Sequence, residues 1–478
     1  MVRSISLPEI IYDVAIIGSG PAGYTAAIRA GQYGLKTALI EKDELLGGTC
    51  LHVGCIPTKA LLFNAELWDQ LKDAKQYGIE GVDSRKLNWA AVQDRKAKIV
   101  SKHAKGLEFL MNKNKVETIH GYGRLTGPAQ DGRFTIEVKG GDGKASSLLA
   151  KKVILSTGSE ARMIAGLDRD SRILTNIEIL QMGEVPKSLV VVGAGAVGVE
   201  FASIFRSFGT EVTILEMLPR LVPIEDEDVS KELARVYRKR GINFHLGATV
   251  DKIEKTKTGV AVAFSVEGKQ QKLDAEKILI AVGRKPRTDH LGLEKTRIQA
   301  DRGFIKTNPW METAEPGVYA IGDIVLGTPQ LAHVGAMEGI VAVSKIAGKE
   351  AKAIDPLKIP NATYCHPEIG SVGLTEVKAK AAGYRVRVGK FPFTANSRAS
   401  IVGQHEGFVK IVSDAKYGEI LGVHIIGPQA TELIAEAVAA MEAESTVEDL
   451  MWTIHAHPTL AEAMLDASNG VYGMAINA

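Results

Sequence analysis

Cysteine is scarce in this chain: three in 478 residues. That excludes the disulfide framework of a secreted protein and points to a reducing cytosol, where a disulfide is usually catalytic or redox-sensing. Charge of one sign is missing as well. Lys and Arg number 58 against 56 Asp and Glu, a formal net charge of +2, so there is no global field to recruit nucleic acid or an anionic membrane. Long apolar runs are also absent. The uncharged stretch 188–199 is too short to span a bilayer and is broken by glycines, so no membrane segment is expected. Residues 1–11 hold one arginine and a proline but no apolar core, so no signal peptide is expected. What remains is an ordinary globular composition, 45% hydrophobic and 24% charged, on a chain long enough for about three domains at roughly 150 residues each.

One internal repeat organises the chain. The apolar run Asp13-Val14-Ala15-Ile16-Ile17 reads as a buried parallel strand. It leads into Gly18-Ser19-Gly20-Pro21-Ala22-Gly23, a helical stretch from Tyr24 to Tyr33, and a second strand, Thr37–Ile40, that ends at Glu41. Later, Leu189–Val192 feeds Gly193-Ala194-Gly195-Ala196-Val197-Gly198, a helix, and the strand Glu211–Leu215 that ends at Glu216. Each acid follows its first glycine by the same number of positions. The first glycine permits a tight turn, the second lets backbone approach a pyrophosphate, and the third lets helix pack on strand. The helix N-terminus offers N–H groups and a positive dipole end to the phosphates, and the acid accepts from a ribose diol. A single glycine fingerprint is weak evidence; two in register imply two dinucleotide sites. A carboxylate at Glu216 would repel a 2′-phosphate, which favours NAD over NADP.

Two further strands, starting at Lys152 and Lys277, end in glycine at Gly158 and Gly283 and suit crossings between domains. Val318–Ile321 leads to Gly322-Asp323, an acid at a strand's C-terminal end, where ligands of open α/β sheets gather. From about Asp355 the pattern changes to alternating strands followed by helices, which reads as a separate α+β domain. The expected architecture is α/β: two Rossmann-like dinucleotide-binding domains and a C-terminal α+β domain. The expected boundaries are 1–155 and 285–354 for the first domain, 156–284 for the second, and 355–478 for the third.

Two of the three cysteines, Cys50 and Cys55, lie in the run Gly47–Lys59, just after the first repeat. A structural zinc site wants four ligands, and Cys365 stands alone, so metal is not expected. A buried inert pair is the bland alternative. Against it, a regular helix would separate these cysteines by about 7.5 Å of rise, near the ~7 Å limit for bridging. A disulfide here therefore needs a distorted first turn, which Gly54 and Pro57 permit. Lys59 and the helix N-terminus favour a thiolate. Redox activity is the expected role.

At these residues the chain resembles the dihydrolipoyl dehydrogenase family of pyridine nucleotide–disulfide oxidoreductases. The similarity runs from about Tyr12 to the C-terminus. It includes the Gly47–Lys59 segment, both fingerprints, Gly283-Arg284-Lys285-Pro286, Ala320–Asp323 and Gln330–His333. It continues through Phe391–Arg398, His424–Pro428 and His455–Glu462. The resemblance implies FAD at Gly18, Gly20 and Gly23, with Glu41 on its ribose and Asp323 on its ribityl chain. Gly123, Thr157, Gln330, Leu331, Ala332 and His333 are further implied flavin contacts. Lys59 and Glu200 would pair near the flavin, Glu200 lying on the helix of the NAD fingerprint. NAD would occupy Gly193, Gly195 and Gly198, with Glu216 on its ribose and Gly283 close by. Cys50 would meet substrate and Cys55 the flavin. His457 would be the base, oriented by Glu462 and supplied across a homodimer formed by the C-terminal domain. The implied reaction oxidises the dihydrolipoamide of a lipoyl domain with NAD. The implied partners are the acyltransferase core of a 2-oxoacid dehydrogenase complex or the glycine cleavage carrier protein.

Two departures are visible: His52 stands where the family usually has Asn, and Val334–Glu338 differs from a more acidic family run. Related activities fit less well. A glutathione reductase wants basic residues where Glu216-Met217-Leu218 stands. A mercuric reductase wants a further cysteine pair near its C-terminus, and a soluble transhydrogenase would lack Cys55. A non-enzymatic docking subunit would not need Cys50, Cys55, His457 and Glu462 together.

Overall fold

The first strand is buried at every position from Val14 to Ile17. A strand covered on both faces belongs inside a parallel sheet between helical layers. In the computed structural model, which describes residues 10–477, it is the centre of one. The reading of residues 1–11 as free of a leader falls largely on residues outside those described. Strand β1 (Ile11–Ile17) pairs in parallel with β2 (Thr37–Glu41), and β2 with β3 (Glu117–His120). The helix α1 (Pro21–Gln32) crosses between β1 and β2. On its other side β1 pairs with β6 (Ala145–Leu155), in register from Ile11 opposite Leu149 to Ile17 opposite Leu155. The Val318–Ala320 strand lies beyond β6, also in parallel. The first half of β6 belongs instead to an antiparallel meander with β5 (Phe134–Lys139) and β4 (Tyr122–Leu125).

The later segment repeats this plan. Ser188–Val192 lies between Glu211–Glu216 and Lys277–Ile280, with Asn243–Leu246 and Ile173–Leu174 outside them, all parallel. The meander Ala248–Lys255, Val260–Val266 and Lys269–Ala275 again comes before the return to the central strand. The two fingerprints are thus the visible part of a repeat of whole sheets.

The chain divides into two compact units. One comprises the chain up to Pro57, Asp94–Glu160 and Arg284–Ile354; the other comprises Thr58–Gln93, Ala161–Gly283 and the chain from Asp355. The second unit also holds the C-terminal sheet, antiparallel in the order Asn361–Thr363, Glu368–Gly373, Ile420–Gly427, Phe408–Asp414, Val386–Pro392. Helices Ala430–Glu442 and Glu462–Gly470 pack on it around Phe391, Ile411, Ile425 and Ile434. The architecture is α/β with a C-terminal α+β part, as expected. Among the described residues no helix is long and apolar enough to cross a membrane.

A lysine lies inside the buried strand Phe408–Asp414. The Lys410 side chain is 3% exposed, and its ammonium is held by Asp226 at 2.9 Å, Asp228 at 3.0 Å and Glu376 at 2.8 Å. Asp226 also caps the Glu227–Lys239 helix by accepting from the Asp228 N–H. Burial alone would neutralise Lys410, but its three carboxylate partners outweigh burial and raise its pKa. Asp226 and Asp228 are lowered, the Lys410 hydrogen bond outweighing their burial, and Glu376 is lowered by Lys380 and Lys410. Removing one partner leaves an uncompensated buried charge, at a cost of about 3–5 kcal/mol. Lys410→Met is therefore expected to lower the melting temperature of this unit clearly. The depressed carboxylates contribute stability above their ordinary values near pH 4 and lose it as pH falls through their lower native values. Thermal melts at decreasing pH should show the wild type losing stability in acid and the variant losing much less. A variant that melts like the wild type would refute the latch.

Candidate active site

The two glycine turns have the same construction. Gly18 and Gly193 sit at φ +104° and +102°, where a Cβ would strike the carbonyl oxygens of Ser156 and Ala281 at 2.3 and 2.4 Å. At Gly23 and Gly198 a Cβ would fall 1.9 Å from the carbonyl of the first glycine of its own turn. Gly20 and Gly195, the N-caps of α1 and of the Ala196–Ser207 helix, are extended and bring no side-chain cap to the helix. A Cβ on either would meet nothing within 4 Å. Each turn therefore leaves its helix N-terminus without a side-chain cap and with open space beside the second glycine, which suits a pyrophosphate. The acids close the turns from the side. Glu41 accepts from the Ser19 N–H and hydroxyl at 2.8 and 2.7 Å, and Glu216 accepts from the Ala194 N–H at 2.6 Å. These donors, which the sequence reading missed, fix each carboxylate beside its turn. The residues present at both turns fit a dinucleotide.

Cys50 lies on α2 (Gly48–Val53), and Cys55 opens α3 (Cys55–Lys72). Between them Gly54 leaves helical geometry at φ −145°, ψ −117°. A Cβ there would stand 2.8 Å from the Thr49 carbonyl and 3.2 Å from the Cys50 Cα. The break that a disulfide would need is thus present, built on the glycine expected to permit it. Both cysteines are half-buried. The departure His52 has a structural role: its Nε2 donates to the Leu46 carbonyl at 2.8 Å, tying α2 to the loop before it.

Asp323 lies in the short 3-10 turn Gly322–Ile324 that follows the Val318–Ala320 strand, within a network that the sequence did not reveal. Its carboxylate accepts from the Ser159 hydroxyl. Arg284 donates to the Ser159 hydroxyl and carbonyl at 2.6 and 2.8 Å. Gln330 donates its amide to the Asp323 carbonyl at 3.1 Å. Leu331 caps the Ala332–Ile346 helix, and Ala332 and His333 form its first turn. The Thr157 hydroxyl is spent on the Arg287 carbonyl at 2.5 Å. Gly123 packs close on Ile40 and Ile17, where a Cβ would be 3.0 and 3.2 Å from their methyl groups. Gly283 is left-handed at φ +105°, with open space where a Cβ would stand.

In the other unit, Lys59 Nζ lies 2.8 Å from both carboxylate oxygens of Glu200. Glu200 is buried on the Ala196–Ser207 helix and also accepts from the Tyr364 N–H at 2.9 Å. His457 Nδ1 lies 2.9 Å from Glu462 Oε1, while Glu462 Oε2 accepts from the Thr459 N–H at 2.7 Å. Burial opposes the charge on Glu462, but the Thr459 N–H and the imidazole outweigh it and hold the carboxyl below its ordinary range. The His457 side chain is 71% exposed. A second pair, His455 with Glu436 at 2.8 Å, stands beside it and was not anticipated. The spacing of His455 and Glu436 in the sequence gives no periodic signal for it.

Residues 12–339 match the family model of pyridine nucleotide-disulphide oxidoreductases, and residues 359–468 match that family's dimerisation domain. A dihydrolipoyl dehydrogenase of Bacillus subtilis is 45% identical over 98% of this chain and 99% of its own length. One from Chlorobaculum tepidum is 44% identical over 96% of each. The solved structure of LpdA from Mycobacterium tuberculosis superposes with a TM-score of 0.89 at 27% identity, covering 95% of this chain and 98% of that one. The HOCl-induced flavoprotein disulfide reductase RclA of Escherichia coli gives 0.84 at 26%, over 96% and 99%. With two dinucleotide turns, a cysteine pair at a helix break and this extent of match, the chain belongs to the pyridine nucleotide–disulphide oxidoreductases.

Proposed function

We propose that this chain oxidises protein-bound dihydrolipoamide to lipoamide with reduction of NAD, as a homodimer serving a 2-oxoacid dehydrogenase or glycine cleavage complex. One observation carries the reading. The cysteine pair at the Gly54 break lies in a chain that aligns with dihydrolipoyl dehydrogenases over nearly its full length. In this reading residues 1–155 and 285–354 hold FAD, 156–284 hold NAD, and 355–478 form the dimer.

FAD would be held by Gly18, Gly20, Gly23, Glu41 and Asp323, with Gly123, Thr157 and Gln330–His333 beside it. NAD would be held by Gly193, Gly195, Gly198, Glu216 and Gly283. Together, when bound, they carry an electron pair from reduced cysteines to the nicotinamide as hydride. The protein's part is thiol chemistry. A substrate thiolate bonds to Cys50 Sγ as the Cys50–Cys55 bond breaks, and Cys55 leaves as a thiolate. The second substrate thiolate then displaces Cys50 and closes the lipoyl disulfide, so the electron pair stays on the two cysteines. His457, supplied by the partner subunit, takes the proton that makes the attacking sulfur a thiolate. Glu462 holds the Nδ1 proton of that ring and so leaves Nε2 as the accepting atom. The exposed apolar residues beside His457, Trp452 at 85% and Ile454 at 97%, suit a surface that a second copy covers. Lys59, one turn after Cys55 on α3, is held in place by its ion pair with Glu200.

Anaerobic addition of dihydrolipoamide should produce a long-wavelength thiolate–flavin band and, with NAD present, NADH. Productive turnover of NADP with glutathione instead would overturn the reading. Cys50→Ser should abolish lipoamide turnover while flavin content stays at the wild-type level. His457→Gln should lower kcat/KM for dihydrolipoamide by about 10²–10⁴-fold, the usual worth of general acid–base catalysis, again with flavin retained. A loss under tenfold would show that the base lies elsewhere.

A further inference from the structure

Glu338 lies in an otherwise apolar stretch of the Ala332–Ile346 helix and is fully buried. Its Oε2 accepts from the Gly322 N–H at 2.5 Å. Its other polar neighbour is the Thr328 hydroxyl. Gly322 is left-handed at φ +74° and immediately precedes Asp323. The carboxyl therefore grips the turn from behind, through the peptide that presents Asp323. Its flanks explain how an acid comes to sit there. At Gly335 a Cβ would stand 3.0 Å from the Ala22 Cβ and 3.1 Å from the Gly322 Cα, and at Gly339 it would stand 2.8 Å from the Ala22 carbonyl. On either side of the fully buried Glu338 in sequence, the helix thus lies close against α1, which follows the first glycine turn.

We propose that Glu338 is a positioning residue of the flavin site: it fixes the Gly322-Asp323 turn from behind, and it does so as a neutral carboxyl when FAD is bound. This deepens the assignment of FAD to the first turn and rests on it. A fully buried carboxylate with no opposite charge beside it is costly, whereas a carboxylic acid can still accept the Gly322 N–H through its carbonyl oxygen. The groups facing it are the Asp323 carboxylate, the Thr328 hydroxyl and, around Gly335 and Gly339, alkyl groups of α1. Burial pushes Glu338 up to about 7 and the Asp323 charge adds to the rise, against the opposing Gly322 N–H and Thr328 hydroxyl. Ionisation would add negative charge behind a site that must accept an anionic pyrophosphate. FAD affinity should therefore be full below that value and fall as pH rises through it.

Uptake of FAD by flavin-stripped protein, followed by flavin fluorescence across about pH 6–9, tests this in the wild type, Glu338→Gln and Glu338→Ala. A group that must be protonated for tight binding weakens affinity by up to about tenfold per pH unit above its pKa, so the wild type should lose affinity at alkaline pH. Glu338→Gln keeps an acceptor for Gly322 without a titrating group and should bind with a flat profile. Glu338→Ala should bind FAD at least tenfold more weakly at every pH. A wild-type slope retained in Glu338→Gln would overturn the proposal, and that comparison decides it even if Glu338→Ala fails to fold. Wild-type affinity in Glu338→Ala would overturn it as well. If the wild type takes up no FAD, the cofactor reading itself falls, a result distinct from either of these.

Discussion

A main-chain N–H can serve as a ligand only where no side chain stands before it, and this constraint shapes both halves of the molecule. Gly20 and Gly195 leave the first turns of their helices without a side-chain cap and have open space beside them. Such helix ends ordinarily recruit Ser, Thr, Asp or Asn, because the first N–H groups lack partners. Forgoing the cap is destabilising on its own terms, so the turn must be held by other means. The outer glycines do this through contact. At Gly23 and Gly198 the helix presses on the carbonyl of its own turn too closely for any Cβ, and Glu41 and Glu216 bind the residue after the first glycine. The cradle is thus held by contacts within the chain itself, and preorganisation of that kind lowers the ordering cost of binding.

The redox segment uses the opposite device, a local departure from regular structure. Continuous helix from Gly48 to Lys72 would hold the two sulfurs apart, while a flexible loop would not keep them facing. Gly54 makes a single break, and the helices on either side stay intact. The close approach of Gly54 to the Thr49 carbonyl fixes where the chain turns, and His52 anchors the preceding helix to its loop through the Leu46 carbonyl. A residue that looked like an unexplained departure between the cysteines is therefore part of the frame that presents them.

What was legible in the sequence was whatever depends on periodicity or on residues close in the chain. The β-branched strands, both glycine turns, the acids that end the second strands and the position of the helix break all follow from local rules. The doubling of whole sheets was legible only through its fingerprints. The meanders of β4–β6 and of 248–275 carry no repeated motif; the first is continuous with its parallel sheet through β6, and the second is a three-stranded sheet of its own. Contacts made across long separations were not legible. Ser159 and Arg284 at Asp323, Ser19 at Glu41, and Lys410 with Asp226, Asp228 and Glu376 are ordinary polar residues whose meaning comes from what they meet. Lys59 and Glu200 are a useful contrast. Their pairing could be expected only from the resemblance, because no spacing rule brings residues of two such segments together.

The buried charges show how the same physics serves different ends. Lys410 is surrounded by three carboxylates, so both signs remain ionised in the interior and the cluster acts as a structural latch between a helix N-terminus and the C-terminal sheet. Glu338 meets the Gly322 N–H, the Thr328 hydroxyl and a nearby like charge. The balance there tips toward a bound proton, because desolvation rises with burial whatever the sign, while compensation depends on partners. Partner count thus separates the two cases: with three opposite charges burial yields a fixed ion cluster, and with none it yields a group poised to titrate near neutrality. An apolar residue at position 338 would avoid the desolvation cost, but it would leave the Gly322 N–H without its acceptor at the turn that presents Asp323. The acid is the solution that satisfies that N–H without adding a permanent negative charge behind the dinucleotide.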